Sequence, residues 1–155
     1  MALSHVTQEK LKSFLVNACK ALEEIQKDQQ LTEHENLHDC SVSVDVGPLS
    51  GVRYYTIEPS DSFLGTCDKD SFFGVSLSLE TDSKRQLTPA ITVLRGDMGD
   101  YLSQLLGGIG IKFETQNVWE ESDDRVGDEF NIPLDAPAKI LGKLSQGQSL
   151  GNKGA

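Results

Sequence analysis

Two of the chain's three histidines stand four residues apart in Thr32-Glu33-His34-Glu35-Asn36-Leu37-His38-Asp39-Cys40. The spelling H-E-x-x-H is that of a zinc-hydrolase helix. There, two imidazoles one turn apart bind the metal through one face, and the glutamate acts as general base on a metal-bound water. In that chemistry His34 and His38 are metal ligands, Glu35 is the catalytic base and Zn is the cofactor. The neighbouring residues argue for something plainer. Glu33, Asp39 and the preceding Asp28-Gln29-Gln30 make the segment polar and solvated, whereas such a helix lies beneath a cleft. A strand pattern begins at Cys40, leaving room for little more than one helical turn after Thr32. No third ligand is signalled, since the remaining histidine is His5. Thr32-x-x-Glu35 also fits a capping box, in which Thr and Glu side chains satisfy backbone donors at a helix start. The expectation is therefore no catalytic residue, no metal and no cofactor, with a small zinc hydrolase as the alternative.

Other constellations are weaker. Cys40 close to His38 is the one Cys/His pair near in sequence, but the alternation around Cys40 buries it, and a buried thiol is inert. Asp68-Lys69-Asp70 opens like a calcium loop, yet Phe73 and Leu79 occupy the positions that need glycine and a bidentate glutamate. Gly107-Gly108-Ile109-Gly110 follows a helical pattern rather than opening one, so it reads as a stop signal, not a phosphate cradle.

The elements that must carry any site are legible from periodicity. Leu11, Phe14, Leu15, Ala18, Leu22 and Ile25 recur at spacings of three and four, which predicts an amphipathic helix over residues 7–30 with Thr7 as N-cap. Cys40 to Val46 alternates strictly, with Ser41, Ser43 and Asp45 opposite Cys40, Val42, Val44 and Val46. Further strands are expected at 52–58, 71–80 and 88–94, and a loop at 59–70. Met98, Tyr101, Leu102, Leu105 and Leu106 predict a second helix capped by Asp97 and stopped by Gly107-Gly108. Ile109, Ile111 and Phe113 alternate as a fifth strand leading to Trp119, and residues 120–131 read as an acidic loop. A short helix at 138–144 and a frayed polar tail at 145–155 complete the chain. Adjacent strands with short turns imply an α+β fold: one domain over residues 1–144, with an antiparallel sheet of about five strands and both helices packed on one face.

Composition narrows the function classes. The 155 residues carry a formal net charge of −10, which repels nucleic-acid backbones and anionic membranes and favours a basic protein partner. Three cysteines without a C-x-x-C pair form neither a disulfide framework nor a zinc knuckle, and free thiols fit a reducing compartment. The N-terminal stretch has no continuous apolar run, and no segment is long and apolar enough to span a bilayer, so a cytoplasmic protein is expected.

In size, charge and element order the chain resembles small acidic secretion chaperones and toxin-neutralising immunity proteins, without a shared motif. That resemblance implies a non-enzymatic module, chaperone-, adaptor- or immunity-like, that engages another protein. The partner surface expected is an exposed sheet face or edge together with Glu120, Glu121, Asp123, Asp124, Asp128 and Glu129, anchored by Tyr54, Tyr55 and Trp119. A homodimer through the first helix or an open sheet edge is a further expectation. A structural component of a larger assembly is the third alternative.

Overall fold

The computed structural model of the chain describes residues 4–27, 35–47, 52–67, 74–81, 89–94, 96–119 and 125–153. The elements are α1 (His5–Lys27), β1 (Glu35–Leu37), β2 (Cys40–Val46), β3 (Arg53–Pro59), α2 (Asp61–Leu64), β4 (Val75–Thr81), β5 (Ala90–Val93), α3 (Gly96–Ile109), β6 (Glu114–Trp119), β7 (Arg125–Asn131) and α4 (Ala136–Lys153). The strands form one sheet in the order β1-β2-β3-β4-β5-β7-β6, antiparallel throughout. The fold is α+β with an N-terminal helix, as the sequence pattern implies. The described residues hold seven strands where about five are legible. The first five strands meander. The chain then crosses through α3 to the outer strand β6, and β7 returns to fill the place between β5 and β6.

Cross-strand partners point to the same face of a sheet, so register places the core. One row crosses five strands: Val42, Ile57, Leu77, Ile91 and Phe130, each buried. Burying such a side chain is worth roughly 1.5–3 kcal/mol. The helices cover this face. All six apolar positions expected of α1 are buried, and Val16, Cys19 and Ala21 are buried beside them; α4 packs against this helix. From α4, Ala136, Ile140 and Leu144 face inward at a four-residue spacing. From α3, Met98, Leu102 and Leu106 do the same, with Tyr101 and Leu105 half-buried at their margin. Phe63 of α2 sits against Phe14 of α1, ring centroids 6.5 Å apart.

Several boundaries differ from the sequence expectation, each for a local reason. The cap of α1 is Ser4 rather than Thr7: the Thr7 N–H donates to Ser4 Oγ at 3.2 Å, and Thr7 itself is buried. Within the expected 59–70 loop, Ser60 accepts from the Phe63 N–H and starts the single turn of α2. The helix α3 runs on through Gly107 and Gly108 and stops at Gly110, with φ of 91°. There the Ile111 N–H reaches the Leu106 carbonyl at 3.0 Å and the Gly110 N–H reaches Gly107 at 3.1 Å, the paired bonds of a Schellman stop. Ile109 therefore belongs to the helix, and the next strand starts at Glu114. Residues 125–131 are not loop: β7 takes them, and only 120–124 separate it from β6. Ahead of α4, the Asp135 carbonyl accepts from the Lys139 N–H, Pro137 occupies the first turn, and helical backbone continues past Leu144 to Lys153.

Candidate protein-binding surface

The second face of the sheet carries no helix among the described residues. Its three rows follow from the register. Asp45, Tyr54 and Glu80 stand side by side on β2, β3 and β4. Ser43, Thr56, Ser78, Ala90, Asn131 and Glu114 cross six strands in the next row. Ser41 pairs with Glu58, and Ser76, Thr92, Glu129 and Gln116 continue across the other strands. The face is thus floored by small hydroxyl side chains. Carboxylates project from its margins at Asp45, Glu58, Glu80, Glu114 and Glu129. No lysine or arginine on a described strand position shares these rows. Arg53 has the parity of Tyr55, on the helix side. Tyr54 is 44% exposed between two carboxylate-bearing positions and is the large aromatic of this face. At the far end, Glu58, Leu64, Ser76, Thr92 and Leu94 line a shallow depression of about 260 Å³.

The sequence candidates divide on this frame. Tyr54 is exposed, whereas Tyr55 is a core residue, 2% exposed against the helices, so it is no anchor for a partner. Strand alternation separates the two neighbours. Glu129 lies on the open face; Asp128, its neighbour, points to the helix side and is buried. Its carboxylate lies against Gly99 in the first turn of α3. Glu120, Glu121, Asp123 and Asp124 lie outside the described residues, and of Trp119 only its place at the end of β6 is described. Asp45, Glu58, Glu80 and Glu114 join Glu129 on this face, although charge clustering along the chain does not pick them out. Their signal is the polar half of each strand's alternation.

The H-E-N-L-H segment is built differently from a zinc helix. Glu35 to Leu37 form β1, and Leu37 pairs with Cys40 across a two-residue turn made by His38 and Asp39. Both turn residues have positive φ, 51° and 60°, the conformation of a type I′ hairpin. The helical turn expected from the Thr32–Glu35 capping box is thus not formed by Glu35, which starts a strand. His38 Nε2 lies 2.8 Å from Glu24 Oε1, so the hairpin tip is tied to α1. His34 lies outside the described residues. Among the described residues no three His, Cys, Asp or Glu side chains come together as a metal cage would require. Asp68 and Asp70 lie outside them too.

The thiols are poorly placed for nucleophilic work. Burial pushes Cys19 up to about 12, with the Glu23 carboxylate and Cys40 adding to it. Burial, then Asp39, pushes Cys40 up to about 12 as well. His38, the base closest to Cys40 in sequence, turns to Glu24. Between α1 and α2 lies a wider cleft of about 500 Å³, lined by Lys10, Ser13, Asn17, Lys20, Asp39 and Thr66 among others. Lys10 Nζ is already engaged there, 3.0 Å from Thr66 Oγ1 and over the Phe63 ring.

Comparison with protein-family models, with curated protein sequences and with solved structures gives no match. No helix among the described residues is long and apolar enough to cross a membrane.

Proposed function

We propose that the chain is a non-enzymatic acidic binding module that receives a basic protein segment on the open face of its sheet. One observation carries this: six strands present hydroxyl and carboxylate side chains, without a described basic residue, to a face that no described helix covers. A polar sheet face can simply be solvated. Here five carboxylates of one sign border it, in a chain of net charge −10, and such a field steers and orients a cationic partner. Tyr54 supplies the amphipathic contact that interface anchors usually provide. The hydroxyl floor offers both donors and acceptors to a backbone laid across it.

A lysine- and arginine-rich peptide is a suitable probe, followed by calorimetry at low and high salt. Wild-type protein is expected to bind it with an affinity that falls as salt rises. Changing Asp45→Asn, Glu58→Gln and Glu80→Gln together should weaken binding by about tenfold or more, because these exposed or half-exposed carboxylates act jointly. Equal binding by the triple variant, with folding intact by circular dichroism, would reject the open face as the site.

A further inference from the structure

The two edges of the sheet are protected very differently. At one edge β1 is three residues long, and its turn is held to α1 by the His38–Glu24 contact. At the other, β6 has six residues, and among the described residues no strand pairs with its outer side. Folded proteins blunt such edges with lysines, prolines, bulges or short length. Lysine and proline are absent from Glu114-Thr115-Gln116-Asn117-Val118-Trp119, whose one charge, Glu114, stands at its start; the one irregularity of the hairpin, at Val126, bulges β7 instead. Both faces of the strand are also open over residues 114–117. Thr115 and Asn117 pair with the buried residues Phe130 and Asp128, which puts them on the helix side, yet both are exposed. The helix α3 packs over β5 and β7, and Thr115 and Asn117 of β6 stay exposed beside it.

We infer that the edge of β6 pairs antiparallel with β6 of a second copy, about a two-fold axis at Gln116. Charge favours a copy over a basic partner. A chain of net charge −10 repels its own copy over most of its surface, but residues 115–118 carry no charge. A basic segment would find more attraction on the acidic face. The pattern is also self-complementary. Pairing centred on Gln116 sets amide opposite amide, Thr115 opposite Asn117 and Glu114 opposite Val118, so the two Glu114 carboxylates stand apart. A closed two-fold contact of this kind is the commonest way for identical chains to associate. The axis stands perpendicular to the sheet, which keeps the helices of both copies on one side. The exposed Thr115 and Asn117 leave room for this. The two open faces then join into one.

Sedimentation of the full chain over a range of concentrations tests the pairing. The mass should rise from 16.9 kDa toward twice that value. Gln116→Lys places two ammonium groups opposite each other at the axis and should weaken the dimer by about tenfold or more. Cysteine cross-linking in a Cys67→Ser background fixes the register. Gln116→Cys should give a disulfide dimer on mild oxidation, since the two Cα atoms lie within the roughly 7 Å a disulfide can span. Glu114→Cys should not, because its two copies are about 13 Å apart along the strands. A chain that stays monomeric at every concentration overturns the inference. So does a dimer in which Glu114→Cys cross-links as well as Gln116→Cys, because another surface would then hold it.

Discussion

The carboxylate of Asp128 in β7 occupies the space in which any side chain on Gly99 of α3 would begin. The contact fixes the distance between the helix and the sheet, and it buries an acid against the positive end of a helix, where negative charge is favoured. Gly99→Ala should therefore cost about 2–3 kcal/mol of stability, far more than an ordinary helix substitution, which would favour alanine. In an Asp128→Ala background the space is free, and the same change should cost much less. Urea unfolding of the four proteins of this cycle measures the coupling. Additive effects would show that the two residues do not compete for one space.

A neighbouring glycine has no such escape. A Cβ on Gly127 would overlap the Val93 carbonyl oxygen and approach Leu94 Cα to 2.6 Å. Both are backbone atoms, one of β5 and one of the residue that follows it, so nothing flexible can yield. Gly127→Ala should destabilise by about 3 kcal/mol or more, or prevent folding, as judged by soluble yield and by urea midpoint.

The glycines near the end of α3 should respond in opposite directions. Gly107 and Gly108 lie in helical backbone, with open space where an alanine methyl would sit, so each change to Ala should stabilise by about 0.5–1 kcal/mol. Gly110, at φ of 91°, closes the helix, and Gly110→Ala should destabilise by about 1 kcal/mol. Thermal unfolding of the three variants separates the two roles. If Gly107→Ala or Gly108→Ala lowers the midpoint as Gly110→Ala does, the helix ends before these glycines.

The same glycines show where sequence pattern stops being sufficient. Two consecutive glycines look like a helix stop, but Leu106 remains buried and the chain needs one more turn before Ile111 can enter the core. Tertiary burial outweighs local propensity. Residues 125–131 are hidden for another reason. Gly127, Asp128 and Glu129 have low strand propensity, yet β7 is held between β5 and β6, and its glycine and aspartate serve close packing against β5 and α3. By contrast, α1 and β2 are legible because their periods, 3.6 and 2, run unbroken for many residues. The open face is legible only as half of an alternation. That its rows line up into one acidic surface depends on register, which no single strand encodes.

The thiols make alkaline stability testable. Cys19 and Cys40 are each pushed from 9.0 to about 12, chiefly by burial. A folded-state pKa above the unfolded value means that the neutral thiol is preferred in the fold. Its contribution is complete below pH 9 and is lost as pH rises toward 12. Each thiol should lower stability by up to about 1.4 kcal/mol per pH unit in that window. Urea midpoints measured across it should fall less steeply for Cys19→Ala than for wild type. At neutral pH a maleimide should label the half-buried Cys67 in native protein and all three thiols only after unfolding. Rapid native labelling of Cys40 would mean that the β1–β2 hairpin opens.

That hairpin turn carries the last test. Asp39 holds φ of 60°, a left-handed conformation that costs an L-residue of order 1 kcal/mol and costs glycine nearly nothing. Its carbonyl accepts from the Ser60 N–H at 3.0 Å, and this backbone bond survives any change of side chain. Asp39→Gly should therefore stabilise the chain by a few tenths to about 1 kcal/mol, the gain in turn geometry being partly offset by a more flexible unfolded chain. His38, at φ of 51°, differs because its ring also reaches Glu24 on α1. His38→Gly exchanges that exposed contact, worth up to about 1 kcal/mol, for a relaxed backbone, so it should leave stability nearly unchanged. A loss of stability in Asp39→Gly would mean that the carboxylate does something at the turn beyond filling its position. Measuring both variants by thermal and urea unfolding separates the turn's backbone from its side chains.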